Sequence, residues 1–160
     1  MNTTWVLRWL AIWRWYVALI WLNYGTSKIE PKWAGGEFLS AVKYSASGVH
    51  GFEHDFLINV VIPHQQVFAY LITYGETLVG ISLILGLLTK AGAVGGMFLA
   101  LNYWLGTGNF QFRFGIESLE LLLFASCLML LVLPTSAVFS LDALLRQRFS
   151  KPRAGVQVTS

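Results

Sequence analysis

Apolar and polar positions along the chain sort into four long apolar runs separated by connections of unequal length. The first lies between Trp9 and Ser27, and at ~1.5 Å rise per residue it is long enough to cross a bilayer as a helix. No A-x-A-like cleavage site follows it, so it reads as a span rather than a signal peptide. From Lys28 to Gln66 the pattern breaks into charge, Gly, Pro and short apolar pieces, none of which can span. Within this stretch, EFLSAVKY and FLINVV read as amphipathic segments lying over the outer mouth of a bundle. The second span is predicted from Val67 to Leu88, behind Pro63, where helices tolerate proline. Thr89 and Lys90 form a short turn into a third span, Ala91 to about Leu105. Its small residues permit close helix contacts within lipid. GTGNFQFRFGIE connects to a fourth span, from about Ser118 to Val138.

The predicted fold class is therefore an all-α membrane protein: a four-helix transmembrane bundle with a long outer loop between the first two spans. One domain covers residues 1–148, and residues 149–160 form a basic, flexible tail. Composition agrees. Among 160 residues 56% are hydrophobic and only 12% charged, about half the charged fraction of a soluble domain, and the mean hydropathy is +0.60. The net charge of +3 does not point to nucleic acid, because most basic residues flank apolar runs, where they set membrane orientation. Arg8, Arg14, Lys90, Arg146, Arg148, Lys151 and Arg153 fall on one side, and Lys28, Lys32, Lys43 and Arg113 on the other. The first side is the cytoplasm and holds both termini, in a bacterial or archaeal inner (plasma) membrane.

Ionisable groups inside spans are costly and need a partner or a purpose. Arg14 is near enough to the cytoplasmic boundary to snorkel. Glu76, in the middle of the second span, is too deep to reach water along its own helix and must be neutral or paired; Lys28 is the favoured cation, with Tyr24 and Asn102 as a polar alternative. Glu120 lies one turn inside the fourth span. Stacking the spans by their ends brings Tyr24, Lys28, Tyr74, Glu76, Asn102, Tyr103 and Glu120 to similar depth in the outward half. One reading is an interhelical hydrogen-bond network that holds the bundle together. The sharper one is a pocket for a quinone or lipid-like ligand, with Glu76 as a proton-exchanging, catalytic carboxylate and Tyr24, Lys28, Tyr74, Asn102 and Glu120 around the ligand.

Other cofactors find less support. His50 and His54 sit four apart, but Gly48 and Gly51 weaken a helix there and no cysteine joins them, so His50, His54 and His64 read as a solvated loop and no metal site is expected. No span carries a histidine for haem, no flavin or iron–sulfur motif is visible, and the single Cys127 forms no redox pair. GAVGG reads as helix packing rather than a nucleotide loop. Seven tryptophans, mostly near predicted boundaries, form an aromatic belt.

Three ordered motifs carry a family resemblance. Arg14, Gly25 and Lys28 resemble the R-x10-G-x2-K opening of the DoxX family of small membrane proteins. GETLVGISLILGLLTKAGAV is similar to the signature of that family's second span, through Gly75, Glu76, Gly80, Gly86, Leu87, Leu88, Thr89 and Lys90. Ser140, Leu141 and Asp142 match its SLD ending. The segment IEPKWAGGEFLSAV looks closer to the DoxD branch, the membrane subunit of thiosulfate:quinone oxidoreductase. Lys90 stands where the family often has Arg. The resemblance implies electron delivery from thiosulfate to a membrane quinone, with tetrathionate as product.

Two functions compete on these residues. The first is a membrane-embedded subunit of a quinone-linked oxidoreductase, receiving electrons directly from a substrate or from another subunit, since no carrier is visible in this chain. The second is a non-catalytic accessory subunit packing against a larger respiratory or photosynthetic membrane complex. Both expect membrane lipids and other membrane-complex subunits as partners, and no nucleic acid.

Overall fold

The computed structural model describes residues 3–106 and 118–149. The predicted connection GTGNFQFRFGIE falls almost wholly outside the described residues, as do residues 150–160 of the predicted tail. The described residues form seven α-helices and two wide π-helical turns, with no strand. Helix α1 spans Thr3–Ser27, α2 Phe38–Gly48, α3 Phe52–Phe56, α4 Gln65–Leu85, α5 Thr89–Gly106, α6 Leu119–Val132 and α7 Leu141–Phe149; the π-helical turns are Trp33–Glu37 and Leu57–Val61. Helix α1 packs on α4, α4 on α5 and α5 on α6, and α1 also meets α6. The fold is all-α, and its four longest helices make one bundle.

Each long helix buries a stripe at three- and four-residue spacing, as one face of a 3.6-residue period requires. On α4 the stripe is Ala69, Thr73, Glu76, Val79, Gly80 and Leu83; on α5 it is small, Gly92, Ala93, Gly96 and Ala100. On α6 it is Leu123, Ser126, Cys127 and Leu130. With Val17, Ala18 and Trp21 of α1, members of these stripes form the main core. Close approach is obligatory where α1 crosses α4. A Cβ on Gly25 would stand 2.6 Å from the Thr77 backbone nitrogen, and one on Gly80 would stand 2.8 Å from that of Leu22. Any side chain at either position would wedge the two helices apart.

The segment predicted to cover the outer mouth forms α2, α3 and both π-helical turns, and packs against the N-terminal half of α4. A second core joins Phe38, Val42, Val61 and Ala69, with Trp33, Leu57, Phe68 and Ile72 against it. His50 precedes α3 rather than sharing it, so the paired-histidine spacing never becomes a helix face.

Several boundaries differ from the sequence-based expectation. Helix α1 begins at Thr3 rather than Trp9, and Thr89 and Lys90, expected as the turn, open α5 instead, the turn being Gly86 to Leu88. Helix α4 stops at Leu85 rather than Leu88, because Gly86 adopts the left-handed conformation (φ 61°) that ends helices. Helix α6 stops at Val132 rather than Val138. Pro134 disfavours helical geometry at the preceding residue, and Leu133 is accordingly extended (φ −84°, ψ 155°).

The residues after α6 turn back onto the bundle and settle Arg14. Its guanidinium is fully buried; Nη1 donates to the Thr135 carbonyl at 2.9 Å and Nη2 to that of Phe139 at 2.5 Å. The expected snorkelling to the headgroups is thus replaced by capture of Arg14 on carbonyls of the non-helical segment that follows α6. Asp142 closes the same end. Its Oδ1 accepts from the Leu88 amide at 2.9 Å, and its Oδ2 from the amide and hydroxyl of Thr89 at 3.0 and 2.9 Å. The carboxylate thereby caps α5 from a distant helix and holds Leu88 at φ 52°, a left-handed geometry that costs a non-glycine residue roughly 1–2 kcal/mol.

This cap has a pH signature. Desolvation raises the Asp142 pKa, but hydrogen bonds from Thr89 and Leu88 and the charge of Arg146 outweigh it and hold the carboxyl below its ordinary value. A depressed folded-state pKa contributes stability that is complete above the unfolded value, about 3.9, and is lost as pH falls through the folded value. Asp142→Ala is expected to lower stability by about 1–2 kcal/mol near neutral pH, with the gap to wild type closing as pH falls below about 4. Thermal unfolding in detergent between pH 7 and pH 3 measures this; a constant gap across that range would refute the cap.

Candidate functional site

The polar site residues extend the buried stripes of their helices. Lys28 follows the end of α1, one turn beyond Tyr24 and two beyond Trp21, so all three share a face. Tyr103 continues the Gly92, Gly96, Ala100 stripe of α5, and Glu120 precedes Leu123 and Cys127 on α6. Because Gly25 lies against Thr77, the C-terminal end of α1 stands level with the middle of α4, which brings Lys28 to Glu76.

Lys28, Glu76 and Tyr103 form a closed triad. Lys28 Nζ donates to Glu76 Oε1 at 2.6 Å and to the Tyr103 hydroxyl oxygen at 2.8 Å. The Tyr103 hydroxyl in turn donates to the same Glu76 Oε1 at 2.6 Å. Glu76 has no exposed surface and the Lys28 side chain 14%. Glu76 Oε2 is buried without a hydrogen-bond partner. The ammonium also lies over three aromatic rings, at 4.8 Å from the Tyr103 centroid, 5.2 Å from Trp33 and 5.7 Å from Tyr24. Such faces attract a desolvated cation and spread its charge without adding a second anion.

Beside the triad lies a cavity of about 140 Å³, lined by Trp21, Tyr24, Lys28, Ala100, Tyr103, Glu120 and Leu123. Its walls are mainly apolar and aromatic, with Lys28 and Tyr103 as donors and Glu120 as a carboxylate. Glu76 is not on the wall; it stands behind Lys28 and Tyr103 and holds both.

Of the residues singled out in the sequence, the structure brings together Tyr24, Lys28, Glu76 and Glu120. Tyr74 and Asn102 lie elsewhere, and helical period is the reason. Tyr74, two residues before Glu76, is turned about 200° away from it; it is 61% exposed and stacks on Tyr70. Asn102, about 100° from Tyr103 on α5, is exposed and donates to the Phe98 carbonyl of its own helix at 2.7 Å. The direct partners missing from the expected ligand set are Tyr103, Trp21 and Trp33. Extending the small-residue stripe of α5 by one step would have selected Tyr103 over Asn102, whereas nothing local marks Trp33. Among the described residues no group of three His, Cys, Asp or Glu side chains is placed to hold a metal.

The sequence motifs that lie far apart also meet. Gly86 to Thr89 are bound by Asp142, Arg14 reaches the segment leading into Ser140, and Gly25 and Lys28 lie against the helix that carries Glu76. No curated protein and no solved structure matches this chain. A family model described as TQO small subunit DoxD matches residues 5–159, nearly the whole length and all of the motifs that converge on the two ends of the bundle. The chain therefore belongs to the DoxD family, the small subunit of thiosulfate:quinone oxidoreductase.

Proposed function

We propose that this chain is the membrane-embedded subunit of a quinone-linked oxidoreductase of the thiosulfate:quinone type, and that its cavity takes the quinone ring. The observation that carries the reading is the Lys28–Glu76–Tyr103 triad, a buried acid, base and hydroxyl in mutual contact beside an aromatic-walled cavity. The wider DoxX kinship belongs to the same proposal.

The membrane reading rests on α4, which is long and apolar enough to cross, with mean hydropathy 1.6. It is supported by the outward faces of its neighbours: Tyr16 and Leu19 on α1, Val94 and Phe98 on α5, Leu122 and Val132 on α6 are all exposed. Together α1, α4, α5 and α6 make the four spans, with both termini cytoplasmic by the distribution of Lys and Arg. A reporter active only outside the cytoplasm, fused to the C-terminus, is expected to be silent; activity there would overturn the topology.

The cavity's chemistry suits a ring bearing carbonyl oxygens, since Lys28 keeps one N–H beyond those given to Glu76 and Tyr103 while Trp21, Ala100 and Leu123 exclude water. Quinone, when bound, supplies the acceptor for two electrons and two protons. Two electrons are what the oxidative coupling of two thiosulfates to tetrathionate releases. Lys28 orients the ring by hydrogen bonding, and the Tyr103 hydroxyl stands beside it with its proton on Glu76. Glu76 fixes both groups, and its unpartnered Oε2 offers a place for a proton bound for the ring: Tyr103 would give its own proton to the reduced ring oxygen and take that of Glu76 in return. Glu76 is thus a positioning and proton-holding residue, while Lys28, Tyr103 and Glu120 are the groups in reach of a ligand.

Tyr103→Phe, which keeps the ring and removes the hydroxyl, and Glu76→Gln, which keeps the shape, are each expected to lower quinone reduction roughly 10²-fold with assembly intact. Glu76→Leu leaves Lys28 unpaired and is expected to cost about 3–5 kcal/mol of stability. Turnover with a soluble quinone, measured beside recovery of the assembled complex, separates these effects. Unchanged turnover in both conservative variants would favour the accessory-subunit reading.

A further inference from the structure

Helix α7 is amphipathic with its polarity inverted relative to a helix that docks on a protein core. Asp142 faces the bundle, where it caps α5. Leu141, Leu144 and Leu145 face away and are 38%, 57% and 43% exposed. These three leucines occupy an arc of about 100° at 100° per residue. Phe139, at the turn just before α7, is exposed too, and its ring packs on Trp15 with centroids 6.0 Å apart.

Basic residues surround this apolar face. Arg148 projects from the leucine arc itself. Arg8 of α1 lines the groove that runs along Leu85, Phe139, Leu141 and Leu144. On the other flank, Lys90 and Arg146 line a groove with Leu145. The only acid on α7 is Asp142, already committed to the α5 amides. Three cations thus flank an aliphatic surface at one end of the bundle, and a fourth, Arg148, rises from its far turn. A helix with leucines on one side and arginines beside them lies in a membrane interface, its apolar face among acyl chains and its cations at the headgroups.

We infer that α7 is an interfacial anchor that binds anionic phospholipid, with Leu141, Leu144 and Leu145 in the acyl region and Arg8, Lys90, Arg146 and Arg148 on the headgroup phosphates. This rests on the four-span reading, because α7 reaches a bilayer only if the bundle crosses one. The occupant is a lipid surface rather than a protein, since the leucine face continues the exposed apolar surface of α1 and α4 at that end, and its cations form a rim that matches anionic headgroups.

The test uses the full chain with a bimane fluorophore on Leu144→Cys, reconstituted in vesicles of phosphatidylcholine alone or mixed with phosphatidylglycerol. Cys127 is buried and is replaced by Ser to leave one label. Leu78→Cys, on the exposed face of α4, is the control for the spans. The Leu144 label is expected to be quenched by brominated lipid and shielded from aqueous iodide, with brominated phosphatidylglycerol quenching more than brominated phosphatidylcholine. Arg146→Gln with Arg148→Gln should reduce that preference roughly tenfold at low salt. Iodide access at Leu144 in both vesicles, with Leu78 shielded, would overturn the anchor and leave the spans standing. So would equal quenching by the two brominated lipids. Iodide access at Leu78 would instead overturn the membrane reading on which the anchor rests.

Discussion

A carboxylate without exposed surface is tolerable only with a cation in contact, and Glu76 finds Lys28 at 2.6 Å. Much of the architecture follows from delivering that contact. Lys28 arrives at the right depth because α1 ends level with the middle of α4, and it ends there because Gly25 and Gly80 let the two helices cross without intervening side chains. The N-terminal half of α4 then projects beyond α1, and α2 with the π-helical turns covers it. That cover places Trp33 over the ammonium. One ion pair therefore sets the length of α1, the smallness of the helix crossing and the need for an outer layer.

The opposite end solves a different electrostatic problem. Among the described residues Arg14 has no carboxylate in hydrogen-bonding contact; it is held by backbone carbonyls of the turn that follows the break of α6 at Pro134. Helix breaking, usually a loss of hydrogen bonds, here supplies acceptors to a buried cation. One end of the bundle uses a side-chain ion pair and the other a backbone cradle, so the two buried cations are held independently.

The apolar periodicity made the four long helices legible, because burial stripes at three- and four-residue spacing appear in sequence as they do in space. Glu76 was legible for the same reason, as a charge inside a stripe, and Lys28 as the nearest cation at matching depth. Tyr74 and Asn102 were misplaced because depth along a helix was weighed and rotation about it was not. The early stop of α6 could have been read from Pro134. The Asp142 cap could not, since its donors lie 53 and 54 residues away and no local pattern encodes a partner at that distance.

The cradle of Arg14 also constrains the order in which the molecule is assembled. Its acceptors, Thr135 and Phe139, lie 121 and 125 residues downstream, so on a growing chain they emerge roughly 6–25 s after Arg14 at ordinary translation speeds. Throughout that interval α1 carries a cation whose final partners do not yet exist. The guanidinium must therefore keep other polar company at first, and only after the turn that follows α6 folds back can the charge withdraw. Formation of the first helix and burial of its arginine are separate events, and the second cannot precede the synthesis of Phe139.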